Sequence, residues 1–452
     1  MTIYEFREAL KRGLGRCNIA LKTEDKEIFR DIVQWGCLHV NTCNTQEDGF
    51  LDEYIYRLVA CYDAPTSFLP PVLERMMASD HEYDTDEVRY LIKLATHFAV
   101  DGSLAAKRAL RKLYLRMFAV MSDPDRVVDW MVDLDMEVYA TIAIALMRFE
   151  GEKGMERIAR NVGSLILRRG YESADFEWIF SDVYYHGSLL LASLSKVSGR
   201  NVDAFFRGYG EFLADQADID DYDPLKIYPK DVTARIYPRG IVPFSEEEDY
   251  DFDSDDEYEY VQSDLPAEMS IARAEKDDLV RYLSDEKNKD MPFDELVGYL
   301  SSYSAGVRQA AQDIFVERRD AEAIAYARKR IATRGAEYFT FTLLLRNYQD
   351  DMKDLLMASL QELDPEFGKG DWHGIILSMI YAEEDGGYCP TELLHWAFDH
   401  SLCRSCRENV MHILYYRGEL KEIYKKECHY DANHCIATFA ATHDFPRYDF
   451  GS

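Results

Sequence analysis

Between Cys389 and His443 the chain places five of its nine cysteines and six of its eleven histidines. Cys403-x-x-Cys406 and Cys428-His429, with His434-Cys435 just beyond, supply sulfur and imidazole, the donors from which tetrahedral zinc sites are built. Residues three apart share a helix face, so Cys403 and Cys406 can converge. Cys403, Cys406, Cys428 and His429 are the metal candidates. Glu392-Leu-Leu-His395 has the Glu-x-x-His spacing of helical di-iron proteins, but no second copy accompanies it. Asp249, Asp251, Asp253 and Asp255 alternate as calcium-loop ligands do, without the turn glycine. Gly13-x-Gly15 and Gly368-x-Gly370 lack the remaining residues of a phosphate-cradling loop. Neither HExxH nor GxSxG occurs. No catalytic residue, cofactor or small-molecule substrate can be named from these patterns.

The elements that must position these residues are helices. Sustained two-residue alternation and Asn-Gly hairpins are absent, while apolar residues recur three and four apart throughout. Ile28, Ile32, Trp35 and His39 are expected to share one face. Val88, Leu91, Ile92, Ala95 and Ala99 mark another, and Leu104, Leu110, Leu113, Met117 and Val120 a third. Asp101-Gly102-Ser103 should stop one helix and cap the next. The expected fold is all-α, an α-solenoid or irregular array of antiparallel helix pairs. It is divided into helical arrays at 1–217 and 265–445, a Pro-containing and acidic disordered insertion at 218–264, and a tail at 446–452.

Three segments align without gaps: SLAAKRALRKLYLR from Ser103, SAGVRQAAQDIFVE from Ser304 and CRSCRENVMHILYY from Cys403. Each has a cation at the fifth position (Lys107, Arg308, Arg407). A small or branched apolar residue follows three later (Leu110, Ala311, Val410), then an apolar pair (Leu113-Tyr114, Ile314-Phe315, Ile413-Leu414). The pattern resembles the second helix of HEAT and armadillo-type repeats, in which small residues let helices stack closely. That resemblance implies a superhelical array with an extended binding surface. In the same alignment Cys403 matches Ser103 and Ser304, and Cys406 matches Ala106 and Val307. Capping and small-residue packing therefore compete with metal ligation as the role of these cysteines.

Charge bounds the partners. Against 52 Lys plus Arg stand 83 Asp plus Glu, a formal charge of -31, which opposes nonspecific attachment to nucleic acid or anionic lipid. Ser245 to Tyr260 carries ten acids in sixteen residues and should be an exposed, mobile insertion. Its interleaved Tyr250, Phe252 and Tyr258 suit docking on a basic, partly apolar surface. Arg108, Lys112 and Arg116 form one row on a helix that carries no acid between Gly102 and Ser122. Arg328, Lys329, Arg330 and Arg334 form a second cluster. No run of apolar residues is long enough to span a bilayer. The N-terminus builds no apolar signal region, and nine cysteines show no disulfide spacing, so a cytoplasmic location is expected.

These features point to a non-enzymatic scaffold that binds a protein partner on a helical-repeat flank and has no enclosed reaction pocket. Two other classes remain open. Some DNA alkylation repair glycosylases are HEAT-like arrays with a basic groove, and the Arg108, Lys112, Arg116 row is the feature that points that way. The third class is an acidic polyanion mimic that occupies basic proteins.

Overall fold

A computed structural model describes residues 1–39, 51–78, 85–122, 129–169, 173–186, 188–215, 232, 235, 278–285, 289–361, 363, 369–384 and 388–450. Among them the regular structure is entirely helical, with no strand, so the protein is all-α. No described helix is long and apolar enough to cross a membrane.

The chain divides into two compact units. The first comprises Met1–Glu246 with Tyr430–Ala432 and Tyr448–Ser452, the second Glu247–His429 with Asn433–Arg447. In the first unit the helices are α1 (Ile3–Lys11), α2 (Arg16–Thr23), α3 (Arg30–Leu38), α4 (Leu51–Val59), α5 (Leu69–Ala78), α6 (Thr85–Val100), α7 (Leu104–Met121), α8 (Asp129–Glu150), α9 (Glu152–Arg169), α10 (Ser173–His186), α11 (Ser188–Leu194) and α12 (Arg200–Asp215). Helices α4, α6, α8 and α10 lie side by side in that order, and α3, α5 and α7 form a second row packed against them.

The junction of α6 and α7 shows how the sequence sets this alternation. Gly102 turns the chain at φ 102°, which a side chain would oppose. Ser103 Oγ then accepts from the Ala106 N–H at 3.3 Å and starts α7. Leu110, Leu113, Tyr114 and Met117 bury its inner face. Tyr114 also joins a buried polar chain across three helices. Asn161 Nδ2 of α9 donates to its hydroxyl at 2.9 Å, and that hydroxyl is 3.2 Å from the Tyr139 hydroxyl of α8.

The expected stripe at Ile28, Ile32, Trp35 and His39 is displaced. A 3-10 turn at Lys26–Phe29, capped by Asp25, precedes α3 and rotates the register. Phe29, Val33, Gly36 and Cys37 are buried, while Ile28 is exposed. Leu104, expected on the apolar face of α7, is 65% exposed.

Most of the expected insertion lies outside the described residues, but two of its members do not behave as a free linker. Val232 is fully buried in the core of the first unit. Arg235 donates to the carbonyls of Ser195 at 2.9 Å and Val197 beyond the end of α11, and pairs with Asp203 at 2.5 Å.

The second unit contains α13 (Phe293–Leu300), α14 (Ala305–Val316), α15 (Ala321–Arg334), α16 (Tyr338–Arg346), α17 (Lys353–Gln361), α18 (Lys369–Glu384), α19 (Thr391–His400), α20 (Arg404–Tyr416), α21 (Glu422–Cys428) and α22 (His434–Thr442). Helices α14, α16, α18 and α20 are successive neighbours. The three aligned segments are α7, α14 and α20, each beginning one residue after its Ser or Cys. Ala106, Val307 and Cys406 are all buried at the matched position, as are Leu110, Ala311 and Val410 three residues past the cation.

Candidate functional site

A pocket of about 230 Å³ opens on the face of the α4–α6–α8–α10 row. It forms because α6 and α8 each carry a polar row on an otherwise apolar helix. Asp86, Arg89, Lys93 and His97 follow at helical spacing on α6, and Glu137, Thr141 and Arg148 on α8. Asp52 enters from the first turn of α4, where the helix dipole favours a carboxylate. Trp178 and Asp182 come from α10.

Two rungs hold α4 against α6. Asp52 Oδ2 lies 2.7 Å from His97 Nε2, and one turn further Tyr56 donates to Asp101 Oδ2 at 2.5 Å. The Tyr56 ring also stacks on the His97 ring, with centroids 5.0 Å apart. Burial, and then the Asp101 carboxylate, push the Tyr56 hydroxyl well above its ordinary range. On the other side Arg89 Nη1 pairs with Glu137 at 3.0 Å and Asp86 at 3.4 Å. Its guanidinium sits 5.6 Å from the centroid of the Trp178 ring, a cation–π distance.

Asp52 is 5% exposed, yet among the described residues its Oδ1 makes no hydrogen bond, and neither does the buried Nε of Arg89. Asp52 and Arg89 both line the pocket, and each keeps one buried polar atom unbonded, a cost that a ligand reaching those atoms would relieve. Trp178, 55% exposed beside them, offers a rigid apolar plane. Two lining hydroxyls bond back to their own helices: Thr96 Oγ1 donates to the Ile92 carbonyl at 2.7 Å, and Thr141 Oγ1 to the Glu137 carbonyl at 2.8 Å. The arrangement is equipped to hold a ligand.

Six ionisable side chains surround the pocket, which is open at the helix face. Its charged residues resemble a solvated face in the sequence, which is what charges on a helix usually mark. The readable signal was the polar row from Asp86 to His97 within the apolar pattern of α6.

Other sequence candidates fall elsewhere. Arg108, Lys112 and Arg116 are exposed on α7 and line no part of the pocket. The adjacent Arg111 is tied to Glu150, which also pairs with Arg157 at 3.3 Å. In the second basic cluster Arg328 grips Asp351 with both terminal nitrogens, at 2.8 and 2.9 Å, and Arg330 pairs with Glu337. The Glu-x-x-His motif is not a ligand pair: Glu392 binds Lys353 at 2.9 Å, and His395 Nε2 donates to the Glu419 carbonyl at 3.0 Å. Tyr250, Phe252, Tyr258 and the aspartates from Asp249 to Asp255 lie outside the described residues.

The cysteine candidates separate. Cys403 caps α20, its sulfur accepting from the Cys406 N–H at 3.3 Å, and both side chains are buried. Among the described residues they converge with His373 rather than with Cys428 and His429. His429 Nε2 lies 2.9 Å from the Phe445 carbonyl, to which it donates, and Cys428 is buried apart from the trio.

Comparison with protein-family models, with curated proteins and with solved structures gives no match.

Proposed function

We propose that the protein is a non-enzymatic helical-repeat scaffold that holds a segment of a partner protein against the α4–α6–α8–α10 face. The carrying observation is the coincidence of an exposed Trp178, stacked by Arg89, with the unbonded Oδ1 of Asp52 and Nε of Arg89 in one pocket. Aromatic and arginine anchors beside a desolvated pocket are where binding energy concentrates in protein interfaces. The partner segment places a side chain that both donates and accepts, such as a carboxamide, between Asp52 and Arg89, and an apolar neighbour on Trp178. The side-chain cap common to α7 and α20, and the matched buried positions in α7, α14 and α20, support the repeat character of the scaffold.

A DNA-binding role draws on Arg108, Lys112 and Arg116, which stand on another row. The pocket mixes three acids with three cations, so it gives a phosphate backbone no continuous positive path. A second reading, retention of a small zwitterionic molecule, is favoured by the pocket's volume of about 230 Å³, room for one amino-acid-sized ligand.

Selection of a displayed peptide library on the immobilised chain tests the proposal. A consensus that binds the wild type and is lost with Trp178→Ala and Arg89→Ala supports it. Absence of any consensus, or one indifferent to both substitutions, overturns it. Thermal stabilisation by free amino acids without peptide binding would select the small-molecule reading.

A further inference from the structure

Two helices of the second unit bring together three ligands of the soft-metal type. His373 comes from α18, and Cys403 and Cys406 from the start of α20. One imidazole nitrogen and the two sulfurs all lie within 4.8 Å of one another. The local structure explains the meeting. On α18, Gly374 next to His373 lies so close to α16 that a Cβ there would stand 2.9 Å from the Tyr338 ring. Ser378 of α18 bonds Thr342 of α16 at 2.6 Å. With α18 fixed against α16, His373 is left at the neighbouring α20, on which α18 also packs.

The sulfurs are suited to a cation. Cys403 stands at the N-cap, where the helix dipole and the Cys406 N–H favour negative charge on its Sγ. Cys406 follows one turn on and is buried beside it. A tetrahedral zinc ion with Zn–S of about 2.3 Å and Zn–N of about 2.0 Å requires ligand separations of roughly 3.5–3.8 Å. Small side-chain rotations close the remaining gap. His373 is only partly buried, which leaves the ion a route in from solvent.

We infer that His373, Cys403 and Cys406 form a zinc site that clamps α18 to the start of α20. Each thiol gives its proton to solvent as the ion binds, and the two thiolates balance the double charge. Three protein ligands leave the fourth coordination position to water or to an incoming ligand. The site shares no residue with the pocket of the first unit, so neither proposal depends on the other.

The aligned repeats supply variants that keep the fold. Serine stands at the Cys403 position in α7 and α14, and alanine at the Cys406 position in α7. Cys403→Ser therefore retains a capping oxygen, and Cys406→Ala a residue already accommodated at that position. The full chain, purified under reducing conditions and stripped of metal, is titrated with zinc against a chromogenic chelator. Cobalt then reports the ligand set by its sulfur charge-transfer band. The expected result is one ion per chain, with affinity at least about tenfold weaker in Cys403→Ser, Cys406→Ala and His373→Gln, and unchanged in Cys428→Ser. Cobalt should give a tetrahedral spectrum whose sulfur band halves in either cysteine variant. Circular dichroism checks that each variant is folded.

Failure of the folded wild type to hold one zinc ion, or retention of zinc by the double cysteine variant, overturns the inference. So does a Cys403–Cys406 disulfide, found by mass spectrometry of chain prepared without reductant, in protein that binds no zinc. That result would make the pair a redox couple.

Discussion

Arg308 and Arg407 make the same contact from matched positions. Each donates from Nη1 to the carbonyl of a serine six residues earlier, Ser302 at 2.8 Å and Ser401 at 3.1 Å. The aligned cation thus ties its helix to the turn that precedes it, and the chain repeats this device in α14 and α20. The two differ in depth, since Arg308 is half-buried and Arg407 is fully buried.

Depth sets the cost of removal. Arg407→Ala leaves a cavity and a buried carbonyl without its donor, and should destabilise the second unit by about 2–4 kcal/mol. Arg308→Ala, with water able to replace the donor, should cost about 1 kcal/mol. Arg407→Lys should recover part of the loss, because lysine fills the matched position of α7. Urea unfolding monitored by circular dichroism measures all three, and equal losses for the two alanine variants would contradict this account.

Gly163 lies where the backbones of α9 and α12 approach closely. A Cβ built there would stand 1.7 Å from the Asn201 carbonyl oxygen, and backbone cannot yield as a flexible side chain can. Gly163→Ala should therefore lower the stability of the first unit by about 3 kcal/mol. Gly298→Ala, where nothing lies within 4 Å, is the control and should not destabilise. Thermal melts of the two variants make the comparison.

Trp178 separates binding from folding. Because its ring is exposed, Trp178→Ala should change stability by less than about 0.5 kcal/mol. Affinity for a selected peptide should fall at least about tenfold, as for an interface anchor. Calorimetric titration beside a thermal melt distinguishes the two effects.

His395 gives the second unit a pH response. Burial lowers its pKa below the ordinary 6.5, outweighing the Glu419 carbonyl that its Nε2–H meets. Near that pH the unfolded chain binds more protons than the folded one, so stability rises with pH. The contribution is whole above about 6.5 and is lost as pH falls below it toward the depressed folded value. His395→Gln keeps a donor for the Glu419 carbonyl and removes the titration. The difference in urea midpoint between wild type and variant should shift between about pH 8 and pH 5, and a constant difference would refute the assignment.

Helical architecture was legible because it is written in local chemistry. Ser103 capping, the Gly102 turn and the buried set Val88, Leu91, Ile92, Ala95 and Ala99 need only neighbouring residues to be read. The stripe on α3 was displaced because the 3-10 turn capped by Asp25 changes the phase, and a uniform period cannot register such a change. The pocket depends on Asp52, Arg89, Glu137 and Trp178, which stand on four helices. Only packing brings them together. Cys403 and Cys406 were readable as a pair three residues apart. Their third partner His373 lies 30 positions upstream of Cys403, outside the cysteine- and histidine-rich stretch from Cys389 to His443.

The ladder between α4 and α6 also fixes phase. Asp52 meets His97 and, four residues on, Tyr56 meets Asp101, so the two helices run in the same direction with matched numbering. Sliding α4 forward by one turn would set two carboxylates, Asp52 and Asp101, face to face. Sliding it backward would strip the Tyr56 phenol of its acceptor. Both displacements are uphill, so the polar ladder acts as a ratchet pawl that the greasy contact around it, indifferent to a one-turn slip, could not supply.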